Sequence, residues 1–176
     1  MLHARFGPAR SYPYAWRLPE LARDEGRDAR LRAALALGLT LHAMGRFAEV
    51  LANLPDADVR PLADVAEPST DLLDLRARCL WLQDETDAAL SLAEVAWSVQ
   101  PRSLRRLHAR VSFLQLADDP EAVLAIVPQY REAAHAAVSL ADQAWSALFQ
   151  HWAHARLGRD GDPAPVHAAL SRLREI

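Results

Sequence analysis

The chain breaks and restarts in the same way at three places, and that recurrence limits what it can fold into more than any other feature. At GRF (Gly45), DET (Asp84) and ADD (Ala117) an amphipathic run stops at a tight turn and a shorter apolar run follows. A lone amphipathic helix cannot bury its apolar stripe in water, so each pair folds back on itself and the pairs stack their remaining faces together. Ala, Leu and Arg dominate, and Gly and β-branched residues are scarce, so the summed propensity is helical nearly everywhere. The expected fold is all-α, with no sheet.

The punctuation sets the elements. Residues 1–19 carry Pro8, Pro13 and Pro19 among Phe6, Tyr12, Tyr14 and Trp16. Prolines at that density predict an extended segment, packed by its rings across the helices that begin at residue 20, or else a docking arm. A helix from Pro19 or Asp28 to Met44 ends at Gly45, and Phe47–Leu54 is a short partner stopped by Pro55. Two further prolines make residues 55–68 a longer connection, and Ser69-Thr70-Asp71 start the next helix. Thr86 is expected to cap the helix that Pro101 closes, Pro101 to open the next, and Asp119 with Pro120 the one after. A long helical stretch follows Pro128, with a break near Ser139, a loop at residues 158–165 and a last helix.

Small residues recur in the first member of each pair at Gly38, Ala77 and Val111, spacings of 39 and 34 residues. Gly38 costs about 1 kcal/mol of helix propensity against Ala, so it points to close backbone approach. A period of about 34 with helix–turn–helix content resembles the tetratricopeptide repeat family. Leu37, Gly38, Leu41, Gly45, Phe47 and Leu51 carry the likeness in the first unit, and Ala89, Ala96 and Pro101 in the second. The departures are Leu at the family's first-helix aromatic position (Leu41, Leu80, Leu114), Arg76 and Arg110 at apolar positions, and Val50 and Val123 where Ala is usual. The resemblance implies an α-solenoid of about four antiparallel helix hairpins over residues 20–176.

All twenty basic residues are Arg, a mark of a GC-rich genome, and the net charge of −3 gives no general reason to bind nucleic acid. A lone cysteine, Cys79 in RARCLWL, excludes an internal disulfide and a cysteine zinc site and reads as core filler. The first residues contain no apolar run of signal-peptide kind, and the longest apolar window, residues 33–41, is half a membrane span, so a cytoplasmic, membrane-free protein is expected.

Little here carries a reaction. No nucleophile elbow or glycine-rich phosphate loop occurs, and Cys79 has no neighbouring base. Glu132 and His135 have the spacing of a di-iron ligand pair, but no second pair accompanies them. His151 and His154, in HWAH, lie one helical turn apart with no acid on that turn to complete a metal site. No enzyme, cofactor or metal is expected.

The charge map is more informative. Residues 45–94 hold four Arg and eleven acids, whereas RSLRRLHAR packs Arg102, Arg105, Arg106 and Arg110 with His108 and no acid. On that helix Leu104, Leu107, Val111 and Leu114 form the apolar stripe, and Arg105, His108, Ser112 and Gln115 share another face. In the family that the chain resembles, the inner faces of first helices line a concave peptide groove. The resemblance thus implies a partner site at Arg105, His108, Ser112 and Gln115, with Arg78 and Trp81 from the preceding unit; the Asn and Lys of the family's carboxylate clamp are absent. The expected function is a non-catalytic module for a protein or acidic peptide, with self-association through an exposed Trp97 or Trp145 face. Two other readings stand beside it: a regulatory or sensor domain of DNA-linked machinery, touching phosphates through the Arg cluster, and a helical-bundle metal protein near His135 and His151.

Overall fold

The computed structural model describes residues 7–54, 67–99 and 101–174, and every regular element among them is helical. Chain contacts divide it into two compact units, Met1–Val99 and Gln100–Ile176. Of the expected connection at residues 55–68, residues 55–66, like Phe6, lie outside the described residues, and the last two are already helical, so the next helix begins two residues before the expected Ser69.

The first unit contains α1 (Pro8–Ala15), α2 (Leu18–Leu21), α3 (Arg27–Ala43), α4 (Phe47–Asn53), α5 (Glu67–Trp81) and α6 (Thr86–Ser98). The expected extended N-terminal segment is helical where it is described. Pro8 occupies the first turn, where a missing N–H is harmless, and Pro13 removes a single ladder bond from a helix of eight residues. Ala15 and Tyr12 of α1 pack on a core of Leu37, Leu41, Val50, Leu72 and Cys79, while Tyr14 and Trp16 stay exposed. Gly38 performs the expected role: a Cβ there would lie 2.8 Å from Leu75 Cδ2 and 3.0 Å from Leu54 Cδ2. The side chains of Leu54, just past α4, and of Leu75 in α5 therefore press on the bare backbone of α3.

The second unit contains α7 (Leu104–Leu116), α8 (Pro120–Ala136), α9 (Leu140–Arg156) and α10 (Ala164–Arg174). Consecutive helices pack, and α7 also touches α9. Leu107, Val111, Phe113, Val123, Val127, Tyr130 and Phe149 fill the core.

One turn geometry recurs through both units. Gly45, Asp84, Asp118, Val138 and Gly158 all take positive φ, from 53° to 73°. In each turn the following N–H reaches back to the fifth carbonyl before it, as in Arg46 to Leu41 and Ser139 to Ala134, and the positive-φ residue bonds the third carbonyl before it. This is the Schellman cap, which satisfies carbonyls that a helix end leaves orphaned. Gly45 adopts it without penalty, and Asp tolerates it. Val138 does not: a β-branched residue at φ 53°, 79% exposed, is a strained stop.

Three expected boundaries shift for identifiable reasons. Pro101 does not open α7, which begins at Leu104 with Ser103 as its cap, the Ser103 Oγ accepting from Arg106 N–H at 3.3 Å. Thr86 begins α6 rather than capping it. Pro128 does not interrupt α8, which runs through it to Ala136, so the long stretch parts at Val138–Ser139. Asp119 and Pro120 behave as expected, Asp119 Oδ1 accepting from Ala122 N–H at 3.0 Å.

Candidate functional site

In the second unit α7, α8 and α9 bring three polar side chains into one hydrogen-bonded chain. Tyr130, wholly buried on α8, donates its phenol proton to Asp142 Oδ1 at 2.6 Å, and His108 Nδ1 lies 2.7 Å from the same phenol oxygen. A phenol has one proton, and Asp142 takes it, so His108 Nδ1 must be the donor toward Tyr130. That fixes the imidazole with its proton on Nδ1. Burial first, then the bond to Asp142, raise the Tyr130 pKa far above the ordinary phenol range, so the proton stays in place.

Asp142 is itself held. It stands in the first turn of α9, where Ser139 caps the helix. Ser139 Oγ donates to Asp142 Oδ2 at 2.5 Å and accepts from Asp142 N–H at 3.3 Å. Both carboxylate oxygens are thus engaged, and the negative charge sits at the positive end of the helix dipole.

Aromatic rings frame this chain. The His108 ring makes edge contacts with Tyr130, Trp145 and Phe149 at centroid distances of 5.6, 6.0 and 5.9 Å. Trp145 stacks on Phe149 at 5.6 Å. Phe149 is 2% exposed and Trp145 47% exposed, so a rigid buried ring supports a large ring open to solvent. Such a surface suits apolar contact at low entropic cost. The Tyr130 phenol itself is buried.

The residues singled out in the sequence distribute unevenly. His108 is in this cluster. Arg105 is exposed on the same helix, and Ser112 and Gln115 are half-buried. Arg78 and Trp81 are half-buried in the first unit. There burial lowers the pKa of Arg78, and Asp74, one turn earlier on α5, opposes the shift. The Arg cluster is smaller at the surface than expected, because Arg106 is 4% exposed and only Arg102, Arg105 and Arg110 face solvent. Arg106 shares its side of α7 with the buried Phe113, so this helix is covered on two faces rather than one. Trp97 is buried and offers no dimer face; Trp145 remains exposed.

Tyr130, Asp142, Trp145 and Phe149 were not singled out as partners of His108. Two signals were present: a tyrosine deep in an apolar pattern needs a hydrogen-bond partner, and Ser-x-x-Asp at 139–142 marks a helix start. Among the described residues no helix is long and apolar enough to cross a membrane. Compared with protein-family models, curated proteins and solved structures, the chain matches none.

Proposed function

We propose that the chain is a non-catalytic interaction module of tetratricopeptide-like build, binding a peptide or protein segment on the α7–α9 surface of its second unit. The reading is carried by one observation: Trp145 is held half-exposed on buried Phe149, beside a His108 that is fixed by Tyr130 and Asp142. Rigid aromatic anchors with satisfied polar neighbours bind well because little freedom is lost on association. Arg105, exposed on α7, supplies a cation, so the partner segment combines an apolar or aromatic side chain with an acidic one.

The repeat part of the reading rests on the recurring cap and on buried small residues. Ala77, Val111, Val50, Ala89, Ala96 and Val123, six small residues at repeat positions, are all 0% exposed. Buried small residues of this kind let neighbouring helices approach closely, as stacked hairpins require. The solenoid of about four hairpins belongs to this proposal.

Trp145→Ala tests it. Its native-state cost is small at a half-exposed site, whereas loss of a central anchor weakens partner binding by about 2 kcal/mol or more. Partner affinity unchanged in Trp145→Ala and in Arg105→Glu would place the binding surface elsewhere.

A further inference from the structure

Helix α9 packs on both α8 and α10, and where the three meet they leave a cleft of about 260 Å³. Gln143, Ala147 and Gln150 of α9 face it, Arg131 and His135 of α8 form one wall, and Pro165 and Ala168 of α10 form the other. These positions belong to a different face of α9 from Trp145 and Phe149. The space stays open because Ala147 and Ala168 are too small to fill it, and Ser146 beside them turns its hydroxyl back on the Gln143 carbonyl at 2.8 Å.

The chemistry of the lining is one-sided. Among the described residues no carboxylate lines the cleft, and Glu132, next to Arg131 in the chain, faces a separate depression with Arg102 and Gln129. Arg131 is half-buried, and its described hydrogen-bond partner is neutral, the side-chain amide of Gln150. A guanidinium only donates, so Gln150 must turn its oxygen to Arg131 and keep its NH2 group as a donor. Most of the Arg131 N–H groups also remain available. A partly desolvated cation held by a neutral partner gains more from an anion than a fully solvated one does.

We infer that this cleft binds a small organic acid with a short alkyl chain, its carboxylate held by the Arg131 guanidinium and the Gln150 amide. The planar fork of arginine matches a carboxylate in two parallel hydrogen bonds. One fixed cation balances one negative charge, whereas a phosphate monoester, at a charge of about −1.5 to −2, would be left under-compensated. Leu140, Ala147, Pro165 and Ala168 give the alkyl part an apolar lining, so the cleft combines apolar walls with a few placed polar groups as small-ligand sites do. Its volume is just below the usual ligand range of about 300–1,000 Å³, which restricts the acid to a few carbons. The site does not depend on the α7–α9 surface.

The test is titration of the 15N-labelled intact chain with sodium butanoate at constant ionic strength, followed through the NMR shifts of the Gln150 side-chain amide and the Arg131 Nε–H. A saturable shift at both is expected, with a Kd of roughly millimolar order for so small a probe. Butanamide, the neutral isostere, and the Arg131→Gln variant each weaken binding at least about tenfold. Ala168→Leu, at an exposed position that leaves the fold and the guanidinium intact, does the same by filling the cleft. Absence of a saturable shift, equal affinity for butanoate and butanamide, unchanged affinity in Arg131→Gln or Ala168→Leu, or inorganic phosphate binding as tightly as butanoate would each overturn the site.

Discussion

Each unit holds a half-buried histidine on a long helix, and the two are treated in opposite ways. In the first unit His42 of α3 lies against Phe47 at 5.3 Å, within the field of the Arg78 guanidinium on α5, and its Nε2 is buried without a hydrogen-bond partner. In the second unit His108 has a phenol at 2.7 Å and a carboxylate at 3.5 Å. A cation beside one ring and an acid beside the other make the first a packing residue that resists protonation and the second a fixed element of a surface. A histidine's role is set by what faces it from the neighbouring helix, and its own sequence neighbourhood says little.

The comparison breaks most readily at Phe149. Phe149→Ala removes the ring beneath both His108 and Trp145, and a buried phenylalanine deletion costs about 3–5 kcal/mol, read by urea unfolding with Trp fluorescence. A cost below about 1 kcal/mol would mean that the aromatic frame does not hold the second unit together. Tyr130→Phe keeps the ring and removes only the shared oxygen. Asp142 and His108 are both partly exposed and recover water, so the expected loss is about 1–2 kcal/mol. The same variant should shift the His108 ring nitrogens in NMR away from the Nδ1-protonated pattern.

The turns offer a third handle. Val138→Gly relieves a left-handed β-branched residue and should stabilise the second unit by about 1 kcal/mol, after allowing for the greater freedom of glycine in the unfolded chain. The matching Gly45→Val in the first unit should destabilise, because it creates the strain that Val138 already carries.

The smallest effect is one of pH and sharpens the contrast between the two histidines. Burial first, then Arg78, lower the His42 pKa from its ordinary 6.5. The unfolded chain then binds the proton more tightly than the fold does, so this contribution to stability is fully present above pH 6.5 and is lost as pH falls through the folded pKa. Chemical denaturation between pH 7.5 and pH 5 should show that decline, and His42→Leu should flatten it.

Much of the architecture was legible because it follows from local chemistry. Gly45, Asp84 and Ala117–Asp119 mark turns by composition, and Gly38 marks a close helix approach, while Ala77 and Val111 are fully buried. The stop at Val138 was only half-visible, since valine is a poor residue for that cap and the helix ends there because Ser139 and Asp142 start the next one. Helix α1 was hidden by prolines that turn out to sit where they cost little. The site was legible only in part. His108 was identified from its helix face, but Tyr130, Asp142, Trp145 and Phe149 lie 22 to 41 residues further along the chain. Only packing joins them, through side-chain contacts that no local period records. Arg106 shows the converse: a charge run read as one solvated face contains a residue that the fold buries.

The most direct measurement is quantitative partner capture from native cell extract by the parent chain, Trp145→Ala and Arg105→Glu, each first shown by circular dichroism and melting to be folded. The account predicts a partner retained by the parent, lost to Trp145→Ala and weakened by Arg105→Glu, with retention by the parent falling as salt rises. Partners captured equally by all three proteins would contradict it.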